Sequence, residues 1–135
     1  MATVKLLADD ELSPEAAAVF ADIRATRGSD FVNNIWRALA NDPPTLSATW
    51  NRLKAVMATE REGGLAPLTK ELVYLAVSIA NNCSYCAHSH TAAARAKGMT
   101  DAQYGEFLEV VAMAAQTNTL AIALQTPVDD VFDAG

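Results

Sequence analysis

The sequence predicts an all-α fold, a compact helical domain of about six helices that occupies residues 1–135 as a single domain. Alanine fills 27 of the 135 positions, against six glycines and five prolines, and it is the best helix former because its side chain loses no rotamer entropy. Hydrophobic residues make up 51% of the chain and charged residues 19%, which excludes a disordered chain. No stretch shows the sustained period-two alternation of a strand, so we expect no sheet.

The first three helices are predicted from their end signals. Ser13 is an N-cap residue before a first-turn proline, and Gly28 is a typical stop, so the first helix is expected over Pro14–Arg27. The second is expected over Phe31–Ala40, ending before the prolines at 43 and 44. The third is expected from about Pro44 to Thr59, with apolar residues at helical spacing.

The next two predicted helices contain the residues that are candidates for chemistry. Thr69 is expected to cap a fourth helix that runs through Ile79, and the Asn81-Asn82 pair is a good helix stop. The fifth is expected to begin at about Cys83 or Ser84 and to run to Lys97, where a glycine follows.

The last helical region is long and apolar. Thr100 and Gln103 fit a capping box at its start, and it is expected to stop before Pro127. It is apolar almost all round from Val110 to Ala115, as in a helix that lies centrally in a fold or is covered by another subunit. We therefore expect an obligate homo-oligomer.

The charge balance excludes several classes of function. The formal net charge is −6, which argues against nucleic-acid binding and against adsorption to anionic membranes. The apolar patch near the N-terminus is too short for a secretory signal, and we expect no apolar run as long as a membrane span. A cytoplasmic protein is the resulting expectation, and in a reducing compartment two cysteines are more often reactive or metal-binding than a structural staple.

The candidate chemistry lies in a Cys-x-x-Cys pair followed by a histidine. On a helix, Cys83, Cys86 and His90 share one face, and two cysteines three apart have Cα atoms roughly 5 Å apart, within disulfide range. The first turn of a helix stabilises a thiolate, and a histidine can take the thiol proton. Glu71 can orient that histidine only if the chain reverses near Asn82 or if another subunit supplies the carboxylate. Two ordinary helical cysteines, a solvated Glu71 and an exposed His88 are the alternative interpretations.

The segments 66–73, 83–90 and 93–100 resemble the carboxymuconolactone decarboxylase family, and more closely its alkyl hydroperoxidase D-like branch, with good similarity over 67–129. The resemblance implies an all-α fold, trimers or hexamers, and thiol-dependent reduction of hydroperoxides. It implies that Cys86 is the peroxidatic thiolate, that Cys83 resolves it as a disulfide, and that His90 and Glu71 form a proton relay. The best-known hydroperoxidases of this branch have a histidine where this chain has Tyr85.

The partners implied are a hydroperoxide substrate and a dithiol reductant, either a lipoyl protein or a thioredoxin-like donor, with no cofactor, nucleic acid or membrane. Two other functions stay open: a γ-carboxymuconolactone decarboxylase-type enzyme, and a redox sensor whose disulfide forms once without turnover. A zinc site is not expected, because a structural site needs four ligands and His88 lies about 200° around the helix from His90.

Overall fold

A computed structural model describes residues 1–132; the last three residues of the predicted domain lie outside them. Within the described chain there are six α-helices, two single-turn 3₁₀ helices and no strand. The α-helices are α1 (Pro14–Arg27), α2 (Asn34–Leu39), α3 (Pro43–Met57), α4 (Pro67–Ala80), α5 (Ser84–Ala96) and α6 (Asp101–Leu124). The all-α prediction with about six helices is confirmed.

Several predicted helix ends are present as expected. The Ser13 hydroxyl accepts a hydrogen bond from the Ala16 amide at 3.2 Å and so caps α1. Gly28 ends the same helix with φ +62°, a left-handed conformation that glycine adopts without steric cost. At α6, Thr100 and Gln103 exchange the two hydrogen bonds of a capping box. These local signals therefore mark both ends of α1 and the start of α6.

Two predicted helix starts are wrong. The second helix begins at Asn34 rather than Phe31, because Asn33 is extended and Val32 before it lies in the core, 2% exposed. The fourth begins at Pro67, so Thr69 lies inside the helix and is not its cap. A proline is favoured at the first helical position, since its fixed φ suits a helix and its missing N–H would have no partner there.

The contacts between Cα atoms divide the chain into two compact units, Met1–Gly64 and Leu65–Gly135. A single domain over 1–135 stays a prediction. In the first unit, Trp36 packs edge-on against Trp50, with ring centroids 5.4 Å apart. The buried core of this unit consists of Ala16, Phe20, Ile23, Val32, Trp36, Ala40, Leu46 and Trp50.

The second unit is organised around an α4–α5 helical hairpin. The chain reverses at Asn81 and Asn82, where Asn82 takes the left-handed conformation with φ +55°, which asparagine tolerates better than most residues. The Cys83 amide then donates to the Ser78 carbonyl at 2.9 Å. This reversal places the start of α5 beside the end of α4, and it also brings the later turns of α5 alongside the earlier turns of α4.

Helix α6 is largely exposed in the single chain, with only Tyr104, Phe107 and Val111 half-buried. None of its residues is buried, and Val110 and Ile122 are 63% and 77% exposed. By length and composition alone it is apolar enough to cross a membrane, which corrects the expectation that no segment approaches a span. The expectation considered uninterrupted runs of apolar residues. The mean hydropathy of this helix is high even though a few polar residues interrupt those runs. One such helix is weak evidence for a membrane protein.

Candidate functional site

The two cysteines lie at the N-terminal end of α5. Cys83 is the N-cap residue, and its sulfur accepts a hydrogen bond from the Cys86 amide at 3.3 Å. The two residues are joined by a disulfide, with their Cα atoms 5.3 Å apart. Both sulfurs therefore lie where the unpaired N–H groups and the dipole of α5 favour negative charge.

His90 lies one helical turn after Cys86 and is half-buried. Its Nδ1 is 2.7 Å from Oε2 of Glu71, which lies on α4. The Tyr74 ring stacks against the imidazole, with centroids 3.7 Å apart and an angle of 23° between the planes. Both neighbours belong to α4, so the hairpin fixes the position and the plane of the imidazole.

Glu71 is a buried carboxylate, 5% exposed. Its second oxygen, Oε1, accepts a hydrogen bond from the ammonium of Lys97 at 2.9 Å. Burial by itself raises the pKa of Glu71, but the hydrogen bonds from His90 and Lys97 and their positive charges outweigh it, and the pKa lies below its ordinary value. Glu71 is therefore ionised at neutral pH, and both of its oxygens act as acceptors.

This ionised carboxylate determines the tautomer of His90. Since a carboxylate only accepts, Nδ1 must donate, and the neutral imidazole then carries its proton on Nδ1. Nε2 is left as an acceptor. The arrangement provides a base one helical turn from Cys86, with a buried carboxylate that stabilises the imidazolium formed when the base takes a proton.

Comparison with known proteins bears on this geometry. A family model described as the carboxymuconolactone decarboxylase family matches residues 43–126. The chain belongs to the carboxymuconolactone decarboxylase family. The matched range includes all four predicted site residues, Glu71, Cys83, Cys86 and His90, and it begins earlier than the segment in which the resemblance is evident by inspection.

One solved structure matches over the full length of this family member. It is described as the alkylhydroperoxidase AhpD core from Rhodospirillum rubrum, and it is 64% identical to this chain. The match covers 100% of this chain and 99% of the other, with a TM-score of 0.96. A comparison with curated proteins finds no significant match.

Two other residues of the Cys83–His90 segment, Tyr85 and His88, occupy exposed positions on α5. His88 is exposed, and its Nδ1 is 2.8 Å from the Ser84 carbonyl oxygen, one turn earlier on α5. Tyr85, which stands where the best-known hydroperoxidases have a histidine, is 43% exposed. The expectation that His88 lies on the helix surface agrees with this placement.

Two neighbours of the site were not identified from the sequence. Tyr74 lies three residues after Glu71 and therefore on the same face of α4, and Lys97, the C-cap residue of α5, lies seven residues after His90. The helical spacing was available in the sequence for both residues, but a tyrosine and a lysine at helical spacing are too common to single out. Their significance follows from the pairing of α4 with α5.

Metal binding has no support in this arrangement. Over residues 1–132, no three histidine, cysteine, aspartate or glutamate side chains converge as metal ligands. That the protein works without a cofactor stays a prediction.

Proposed function

We propose that this protein is a thiol-dependent peroxidase that reduces hydroperoxides through a Cys83–Cys86 dithiol–disulfide cycle. The observation that carries the proposal is a disulfide at a helix N-terminus, one turn before a histidine held by a buried, ionised glutamate. The 64% identity to a protein described as an alkylhydroperoxidase core supports the same reaction class.

The first step consumes the peroxide. The thiolate of Cys86 attacks the distal oxygen of ROOH, the O–O bond breaks, and an S–O bond forms. The leaving alkoxide takes up a proton and departs as the alcohol ROH. The sulfur is oxidised by two electrons to a sulfenic acid, and the peroxide is reduced by the same two electrons.

The second step closes the disulfide. The thiol of Cys83 attacks the sulfenic sulfur, the S–S bond forms, and the hydroxyl leaves as water after it takes up a proton. The Cα atoms already lie 5.3 Å apart in the oxidised form, within the range that a disulfide requires. A dithiol donor, either a lipoyl protein or a thioredoxin-like protein, then reduces the disulfide by two electrons and restores both thiols.

His90 moves the protons of this cycle. Nε2 of the neutral ring takes the proton of the Cys86 thiol, and the resulting imidazolium delivers a proton to the departing alkoxide. Glu71 stabilises the imidazolium through Nδ1 and keeps the ring oriented. In this proposal Glu71 supports the proton relay by orienting and stabilising His90.

The assignment of Cys86 as the nucleophile follows from its distance to the base. Residues four apart on a helix have Cβ atoms about 5–6 Å apart, whereas seven residues rise about 10 Å along the axis. Cys86 is four residues from His90 and Cys83 is seven. Cys86 alone of the two is one turn from the imidazole.

The activity is tested by adding a molar excess of hydroperoxide to the reduced protein in the presence of a dithiol donor. We expect many equivalents of peroxide to be consumed per subunit, with dihydrolipoyl and thioredoxin-type donors compared in parallel. A redox sensor would consume one equivalent and stop. Consumption of a carboxymuconolactone with release of CO₂, and no peroxide turnover, would favour the decarboxylase reaction instead.

The roles of the cysteines are tested by mass spectrometry after one equivalent of peroxide. We expect Cys86→Ser to form no sulfenic acid. Cys83→Ser should form it at Cys86 and stall there or over-oxidise, because no resolving thiol remains. Oxidation of Cys83 in the Cys86→Ser protein, with the Cys83→Ser protein inert, would reverse the assignment.

The same proposal includes a cytoplasmic homo-oligomer, a trimer or a hexamer. The disulfide must be reduced again after each turnover, and the cytoplasm contains the thiol-reducing systems that do this. The exposed apolar surface of α6, with Val110 and Ile122 open in the single chain, supports burial against another subunit.

A further inference from the structure

We propose that Lys97 is a positioning residue of this site, one that holds Glu71 as an ionised acceptor and thereby sets the protonation of His90. The contact that assigns this role is the hydrogen bond from the Lys97 ammonium to Oε1 of the buried Glu71. Its meaning for peroxide chemistry rests on the proposed function, but the effect on His90 does not.

The geometry commits each carboxylate oxygen to one donor. Oε2 accepts from His90 at 2.7 Å and Oε1 accepts from Lys97 at 2.9 Å. The Glu71 side chain is 7% exposed and that of His90 is 17% exposed. Water therefore does not readily replace either side chain in the hydrogen bond that joins them. Lys97 is 37% exposed and closes the solvent side of the carboxylate.

Lys97 and Glu71 act on His90 with opposite signs. The negative carboxylate favours the imidazolium, whereas the positive ammonium beyond it disfavours a second positive charge nearby. Within residues 1–132, the titratable groups seen in contact with the Glu71–His90 pair are Lys97, the C-cap residue of α5, and the phenol-bearing Tyr74 of α4.

Removal of Lys97 therefore makes it easier to add a proton to the Glu71–His90 pair. Whichever member holds the proton, the upper titration step of the coupled pair rises when a neighbouring positive charge is lost. We expect this rise to be measurable, because only the Glu71 carboxylate separates the lost charge from the imidazole.

The experiment is an NMR pH titration of the ¹⁵N-labelled protein, in which only two histidines contribute. His88, which is exposed, is an internal reference in every spectrum. We expect Lys97→Met to raise the upper titration step of the His90 ring, and Lys97→Arg to restore the wild-type value because it keeps the charge.

Arg95→Met is the matched control. Arg95 lies on the same last turn of α5, but it pairs with Asp101 rather than with Glu71. Its loss removes the same charge from the same helix end, and we expect the His90 titration to stay within about 0.2 units of wild type since the charge faces solvent.

Three results would overturn the proposal. The first is a Lys97→Met protein that melts earlier while His90 titrates as in wild type, because Lys97 would then be structural only. The second is an equal shift in Arg95→Met, which would make the effect one of net charge. The third is the finding that neutral His90 in the wild-type protein carries its proton on Nε2. This measurement does not depend on the folding of any variant. The expected shifts without any peroxide turnover would refute the proposed function and leave the role of Lys97 intact.

Discussion

Replacing Glu71 with glutamine keeps the shape of the side chain and removes its charge. The amide oxygen of the new side chain still accepts one hydrogen bond. Its NH₂ group, however, faces the second donor, either Nδ1 of His90 or the ammonium of Lys97. We therefore expect Glu71→Gln to lose one charge-assisted hydrogen bond outright and to weaken the other.

The size of the effect follows from the burial of the partners. A hydrogen bond to a charged group contributes about 1.5–3 kcal/mol, and a buried donor left without a partner costs about 1–3 kcal/mol. Lys97 is more than one third exposed, so water recovers part of its loss. We expect the free energy of unfolding to fall by about 2 kcal/mol at pH 7.

The pH dependence gives the prediction a sign. The pKa of Glu71 is lower in the folded protein than its ordinary value of 4.5, since its two hydrogen bonds outweigh the opposing effect of burial. Its contribution to stability is then fully present above that ordinary value and is lost as the pH falls through the folded value. The difference between the wild type and Glu71→Gln is therefore expected to shrink as the pH falls below 4.5.

Urea unfolding followed by circular dichroism, at fixed protein concentration and at several pH values, measures this difference. Glu62→Gln, at an exposed loop position, is the matched control and should stay within about 0.5 kcal/mol of wild type. Equal stability of the wild type and Glu71→Gln at pH 7 would refute the reasoning. A difference that grows as the pH falls below 4.5 would refute it as well, because the sign would be reversed.

The remaining predictions concern the base, the outer helix and the turn. His90→Ala should slow alkylation of Cys86 by iodoacetamide near neutral pH, whereas His88→Ala should not; equal effects would contradict the placement of the two histidines. Val110→Asp should reduce the particle mass measured by light scattering, and an unchanged mass would exclude that face from the interface. Asn82→Val should lower stability by about 1–2 kcal/mol and Asn82→Gly should not, since a β-branched residue is strained at positive φ; equal melting temperatures would contradict this.

Much of the fold was predictable because its signals are local. The serine cap and the glycine stop of α1, and the capping box of α6, are each encoded within a few residues. The wrong start of α2 has the opposite origin, since Val32 precedes the helix and is buried in a core formed by distant residues. Tertiary packing overrode the local preference there.

For the site, the helical spacing of Cys83, Cys86 and His90 was predictable from the sequence, and so was the condition under which Glu71 meets His90. That condition, a reversal at Asn82, is present in the structure. The stacking of Tyr74 and the salt bridge of Lys97 were not predictable, because each depends on the register of α4 against α5. The catalytic roles of these residues remain predictions that the experiments above test.

The α4–α5 hairpin has a consequence for the order in which the protein assembles. The imidazole and its carboxylate are 19 positions apart in the chain, and the ammonium and the carboxylate are 26 apart. Closing so short a loop costs little chain entropy, and structures dominated by near-neighbour contacts form rapidly. We therefore expect the charged cluster to form early in folding, with the half of the chain before residue 65 contributing little to the rate.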